Sequence, residues 1–239
     1  MKILLATSTV ALGLWLGSAS ASAAPFCQGA SDRNCFTGKF GLVDIPGDPD
    51  HKLLEADFGY IDAKGVGWQT NKATKTDGAS IPPLLQPFVG SPWEDSYIRA
   101  AVIHDWYCDR HVRTWKETHR VFYDAMLASG LQKPKAKLLF YAVYAFGPRW
   151  GYLVPGQSCA AGNDCIQMTG KEAAFVQLPG ELQDQSGAGE LRAIEATIIL
   201  KEDSADALTL DQLMAIADKA HPKQLLKDEK PTGGVGITK

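Results

Sequence analysis

The chain has 239 residues, 45% of them hydrophobic and 21% charged, and a formal net charge of −3. That length supports one hydrophobic core of ordinary size with an appendage. The mildly acidic balance excludes a strongly basic nucleic-acid binder, so no nucleic-acid partner is expected.

The opening stretch, MKILLATSTVALGLWLGSASASAAPF, has the three parts of a secretory signal peptide. Lys2 supplies the positive start, an apolar run follows, and Ala21-Ser22-Ala23 fits a cleavage site. Pro25 would sit directly at a cut after Ala24, where its missing N–H and fixed φ suit a protease poorly, so cleavage is expected after Ala23. Residues 1–23 are then removed, leaving 216 residues of net charge −4 in the periplasm or the medium. The apolar run falls short of the roughly 20 residues that a bilayer core requires, so the mature form should carry no membrane span. No cysteine ends the apolar run to take a lipid anchor.

Residues 24–165 are expected to form an α+β core domain. Within it, residues 39–43, 53–61 and 66–69 read as short strands, with a Pro-Gly-Asp-Pro-Asp turn after the first. Such a small antiparallel sheet is marginal alone and must pack on something. The partner is a mainly helical core. In EDSYIRAAVIHDWYC (residues 94–108), Tyr97, Ala101, His104 and Cys108 fall on one stripe. Thr114-Trp115-Lys116-Glu117 is a capping-box signature, so a second helix should run from Trp115 to about Ser129, stopped by Gly130. Lys133-Pro134 opens a third, largely buried helix that ends at Gly147-Pro148. Residues 166–189 read as loop. Residues 190–201 read as a helix with a competing strand tendency at Thr197-Ile198-Ile199, and Thr209 should cap a helix over 211–220. This makes residues 166–220 a helical extension, and the Lys-, Asp-, Pro- and Gly-rich residues 221–239 a disordered tail.

Of the five cysteines, Cys27–Cys35 and Cys159–Cys165 are the simplest disulfide pairs for an oxidising compartment, although a bridge between the two regions satisfies the sequence equally well. Either way Cys108 is left over, and burial as an inert thiol is its commonest fate.

Two stretches carry candidate chemistry: Thr76-Asp77-Gly78-Ala79-Ser80-Ile81-Pro82, and Ala100 to Tyr107 with the helix that follows. His104 and Asp105 are adjacent on a helix, about 100° apart around its axis, and cannot face each other squarely. They can divide the labour at one cleft. The imidazole takes a proton from water, and the carboxylate, helped by Asp77, holds a cation such as calcium. A tight hairpin between the first two helices would bring His119 to His104 as the group that fixes its tautomer. In a second arrangement His104, Asp105 and His119 ligate a transition metal such as zinc, joined by Cys108 one turn after His104. His111, in the expected turn, is the weaker ligand candidate. The alternative to all of this is structural: Asp77-Gly78 an ordinary turn, Ser80 an ordinary helix cap, and His104 a hydrogen-bonded core residue.

TDGASIP, then AAVIHDW, then a helix with a polar residue at 119 and the segment FYDAM resembles a family of bacterial and phage proteins catalogued as domain of unknown function 1353. The likeness covers roughly residues 40–150 and implies no activity. Its members usually carry an aspartate where this chain has His119. A more distant resemblance is to the secreted phospholipases A2, which place a His-Asp dipeptide on one helix and an Asp ahead of a Phe on the next. It implies His104 as the base, Asp105 as the calcium ligand and His119 in the orienting position. A histidine cannot supply the anionic partner, and the glycine-rich calcium loop of that family is missing. AAVIHD is also similar to the HD phosphohydrolases, but His51, the only histidine upstream of it, is expected in a turn. The resulting expectation is an exported metal-assisted hydrolase of lipid or another ester, with a non-enzymatic envelope or phage-type accessory protein as the alternative.

Overall fold

A computed structural model describes residues 26–79, 90–91, 93–153, 164–166, 175–178, 180, 187–222 and 226–227. The expected signal peptide, Ser80 and Cys159 lie outside these residues.

Six strands come first: β1 (Cys35–Gly38), β2 (Leu42–Ile45), β3 (Asp48–Leu54), β4 (Phe58–Ile61), β5 (Gly67–Thr70) and β6 (Lys75–Thr76). They form two three-stranded antiparallel sheets, ordered β1-β4-β5 and β2-β3-β6, where the sequence pointed to one. The run read as a single strand over 53–61 divides between them. Leu54 ends β3, Phe58 begins β4, and at the corner the Asp57 carboxylate accepts the Lys72 N–H at 2.7 Å. Sheet β1-β4-β5 earns its place by alternation: Phe36, Phe58, Tyr60 and Trp68 are all buried, with Phe36 stacked on Phe58 at 5.4 Å. A disulfide joins Cys27 to Cys35 at the start of β1.

Three helices follow: α1 (Ile98–Arg110), α2 (Trp115–Ala128) and α3 (Lys133–Phe146). Helix α1 begins later than its apolar stripe implied, because residues 94–97 are used in turns, with Tyr97 N–H donating to the Glu94 carbonyl at 3.1 Å. The capping box on α2 is present as the sequence implied, Thr114 Oγ1 accepting from Glu117 N–H at 3.2 Å and Glu117 returning a bond to Thr114 N–H. Gly130 takes φ +89°, the left-handed conformation that ends a helix and that a glycine adopts without steric cost. His111 does the same after α1 at φ 53°, with no glycine there to announce it. Only three residues separate His111 from α2, so α1 and α2 fold back on each other as a hairpin.

Beyond α3 the structure departs most from expectation. β7 (Arg149–Leu153), β8 (Asp164–Ile166), β9 (Phe175–Leu178) and β10 (Leu226–Lys227) make a four-stranded antiparallel sheet, ordered β10-β7-β9-β8. Residues 166–189, read as loop, therefore contain an inner strand. Every residue of β7 is buried, so the strand lacks the alternation by which a half-exposed strand is recognised. Helices α4 (Ala188–Lys201) and α5 (Leu210–Ala220) match the two expected from the sequence, and residues 197–199 are helical. They lay Leu191, Ile194, Ile198, Leu213 and Ala217 on the same core that holds Phe36 and Tyr60. His221, assigned by sequence to a disordered tail, is held by the Glu190 carboxylate at 2.8 Å.

Helix α4 is tied to α3 by a buried ion pair. Lys137 Nζ meets Glu202 Oε2 at 2.6 Å with side-chain exposures of 4% and 13%, and Lys133 Nζ stands 3.8 Å from Oε1. Removing one partner of such a pair strands a desolvated charge, whereas replacing both with apolar groups is often neutral. Glu202→Ala is expected to cost about 3 kcal/mol in urea denaturation, and Lys137→Met with Glu202→Leu to recover most of it. A loss below about 1 kcal/mol for the single change would mean that the pair behaves as a solvated surface bridge.

Candidate functional site

Helices α1 and α2 each contribute one imidazole to a shared interior position. His104 Nε2 and His119 Nδ1 are 2.8 Å apart, and His119 Nε2 lies 3.1 Å from the Pro148 carbonyl oxygen. A carbonyl only accepts, so His119 Nε2 carries hydrogen, and in the neutral ring its Nδ1 is an acceptor. His104 Nε2 then donates; a neutral His104 keeps its lone pair on Nδ1, and a protonated one carries hydrogen there as well, toward Asp105. Aromatic rings enclose the pair: Phe122 lies 4.7 Å from His104, and Trp115 and Trp150 lie 5.7 and 6.3 Å from His119.

Cys108 stands one helical turn after His104, on the same face of α1. Its Sγ is 3.5 Å from His104 Nε2 and 3.8 Å from Nδ1. Burial pushes this thiol well above its ordinary value, and the Asp105 and Asp109 charges add to the shift. Cys108 is therefore a neutral thiol at physiological pH, a poor nucleophile unless a cation draws off its proton.

Asp105 Oδ1 lies 3.7 Å from His104 Nδ1, closer than adjacency on a helix implied though beyond a hydrogen bond. Its Oδ2 accepts from Thr76 Oγ1 at 2.8 Å, and that hydroxyl also receives the Gly78 N–H at 3.1 Å. Burial pushes the Asp105 carboxyl above the usual carboxylate range; His104 and Thr76 pull it back, and the neighbouring Asp77 charge pushes it up. Asp77 thus lies within electrostatic reach of Asp105, in a turn that Gly78 permits at φ +87°. The His104 and Asp105 side chains are 10% and 18% exposed, while His119 is fully buried.

The structure therefore gathers His104, Asp105, Cys108 and His119, with Asp77 beyond Asp105 and Ser80 outside the described residues. His111 and His51 stand apart. His51 belongs to β3, not a turn, and bonds Asp48 at 2.7 Å. Two participants escaped the sequence reading. Thr76 lies inside the TDGAS stretch yet looks like any strand-end threonine, and the Pro148 carbonyl is backbone and leaves no residue-type signal.

Residues 53–143 match a family described as protein of unknown function, DUF1353. The uncharacterized protein y4iH of Sinorhizobium fredii (strain NBRC 101917 / NGR234) is 78% identical over 239 residues, which is 100% of either chain. The chain belongs to this family. A second uncharacterized protein from the same strain, y4jT, is 40% identical over 144 residues, 60% of this chain and 40% of that one. No solved structure matches the chain. The family segment takes in Asp77, His104, Asp105, Cys108 and His119 and stops short of Pro148.

His111 is a different kind of histidine. Its ring is 2% exposed and packed 4.7 Å from Trp150 and 5.9 Å from Phe175, and among the described residues neither nitrogen has a hydrogen-bond partner. Burial lowers its pKa from 6.5 to about 4. A depressed histidine adds stability that is present above the ordinary value and lost as pH falls toward the folded one. Between pH 6.5 and 4 the protein should lose as much as about 3 kcal/mol through this group, at about 1.4 kcal/mol per pKa unit. Denaturation of His111→Phe across that range should show a flatter acid limb than the parent, and parallel limbs would clear His111 of the effect.

Proposed function

We propose that this chain is an exported, metal-assisted hydrolase of lipid or another ester, working at the His104–His119 pair. The observation that supports it is the nitrogen-to-nitrogen contact of two imidazoles from different helices, 2.8 Å long, with a carboxylate and a thiol beside it. Titratable groups of different environment concentrated at one buried edge are a common mark of catalytic sites. Water is activated at the pair, with a divalent cation, calcium or zinc, stabilising the oxyanion. Hydroxide attacks the acyl carbon, the acyl–oxygen bond breaks, and the proton goes to the leaving alkoxide. Export is supported by the composition of the first 23 residues and by the Cys27–Cys35 disulfide, which suits an oxidising compartment. Among the described residues no helix is long and apolar enough to cross a membrane.

One observation favours the accessory-protein reading instead: His119 is fully buried and its two nitrogens face His104 and the Pro148 carbonyl, as a structural lock requires. A single experiment separates the two. The purified chain is assayed on nitrophenyl esters of short and long acids and on phospholipid vesicles, with calcium, zinc or chelator. His104→Ala should abolish a metal-dependent turnover, by a hundredfold or more for a group in the reacting shell, while the melting temperature moves by only a few degrees. No turnover by the parent under any condition, with a large melting loss in His104→Ala, would establish the structural reading.

A further inference from the structure

We infer that His104 Nε2, His119 Nδ1 and Cys108 Sγ form a binding site for a borderline-soft divalent transition metal of the zinc class. The inference rests on the hydrolase reading only for what the metal would do; the binding itself is argued from the donors. One ligand atom from each of the three residues can be chosen so that all lie within 4.8 Å of one another. A tetrahedral ion with metal–nitrogen distances of about 2.0 Å and a metal–sulfur distance of about 2.3 Å needs nitrogen–sulfur separations of about 3.5 Å and a nitrogen–nitrogen separation of about 3.3 Å. Sγ and His104 Nε2 are already 3.5 Å apart, and the imidazoles, at 2.8 Å, need to part by about half an ångström. One His-to-Cys contact is thus set by the helical turn of α1, and the other imidazole arrives across the hairpin.

The surroundings fit the same ion. A metal-bound histidine normally gives its other ring N–H to a carbonyl or carboxylate. His119 Nε2 already faces the Pro148 carbonyl at 3.1 Å, and His104 Nδ1 faces Asp105 Oδ1 at 3.7 Å. On metal entry the neutral His104 changes tautomer: hydrogen leaves Nε2, which becomes the ligand, and Nδ1 gains hydrogen and turns it toward Asp105. The Cys108 thiol gives its proton to solvent and binds as thiolate. Among the described residues three protein donors are gathered, which leaves the fourth position to water, the pattern of catalytic rather than structural zinc. In that state metal-bound water, not the His104 ring, would be the source of hydroxide. Asp105, expected from the sequence as a first ligand, becomes a positioning residue, its Oδ2 fixed by Thr76. Calcium is a poor fit, since it takes six to eight oxygens and this donor set offers two nitrogens and a sulfur.

The test is a titration of the chelator-treated chain, disulfide intact, with cobalt(II), zinc and calcium. One cobalt per chain should bind with a thiolate-to-cobalt charge-transfer absorption in the near ultraviolet, be displaced by zinc, and be indifferent to calcium. Cys108→Ser should lose that absorption and bind at least tenfold more weakly. Asp105→Asn should keep it while weakening zinc about 10- to 100-fold, the usual loss for an outer-shell partner. Failure of the parent chain to bind cobalt or zinc, or an absorption and affinity that survive Cys108→Ser unchanged, would overturn the site. Zinc binding without ester turnover would sustain the site and remove the hydrolase. Turnover in calcium by a chain that refuses zinc would do the reverse.

Discussion

Two imidazoles can stand nitrogen to nitrogen in a water-poor interior only when one donates and the other accepts, and in this chain the Pro148 carbonyl decides which. By occupying His119 Nε2 at 3.1 Å, it makes the other nitrogen of the neutral ring an acceptor, to which His104 supplies the hydrogen. An unsatisfied polar atom at such a depth costs about 1–3 kcal/mol, comparable with a sizeable part of a domain's net stability. The arrangement of α1, α2 and the residues after α3 is bound together by that requirement, since each supplies one member of the chain His104–His119–Pro148. Whatever the cluster does chemically, its geometry follows from this.

The rest of the fold holds the three members in place. Helix α1 is pinned to both N-terminal sheets through two side chains: Asp105 receives Thr76 from β6, and the Tyr107 hydroxyl receives Gln69 N–H from β5 at 3.0 Å. Trp150 on β7 donates its indole N–H to the Arg113 carbonyl at 2.8 Å, joining the third sheet to the hairpin turn beside His111. The small sheets, too short to be stable alone, gain a partner, and the helix gains a fixed azimuth that aims His104 and Cys108 at His119. Packing and site geometry are therefore one problem here. A loosened sheet would free α1 to rotate and would change the distances from His104 and Cys108 to His119.

Much of this was legible in the sequence, for reasons that can be traced residue by residue. The α2 capping box is local, since Thr114 and Glu117 satisfy each other's backbone groups, and its position dictated that α1 and α2 fold back. From that hairpin the approach of His119 to His104 could be anticipated. The i, i+4 relation of His104 and Cys108 is equally local. Illegible were the features that depend on distant chain. β7 is buried on all sides and shows no alternation, so its sheet was invisible, and with it the carbonyl that orients His119. Thr76 reads as a strand end until Asp105 is seen above it. His111 takes a left-handed cap conformation usually given to glycine or asparagine, so the sequence placed the end of α1 at Cys108, two residues early, and gave no sign that His111 would form the cap.

The membership of the chain in a family without an assigned activity leaves the physical arrangement itself as the guide, and its foundation is a statement about where two protons sit. Long-range proton–nitrogen NMR of the metal-free chain, selectively labelled at histidine and held slightly above neutral pH, reads that directly. His119 is expected as the Nε2–H tautomer with an unprotonated Nδ1, and His104 as a neutral ring protonated at Nε2, both in slow exchange. A His119 ring protonated at Nδ1, or two rings averaging between tautomers as exposed histidines do, would contradict the account.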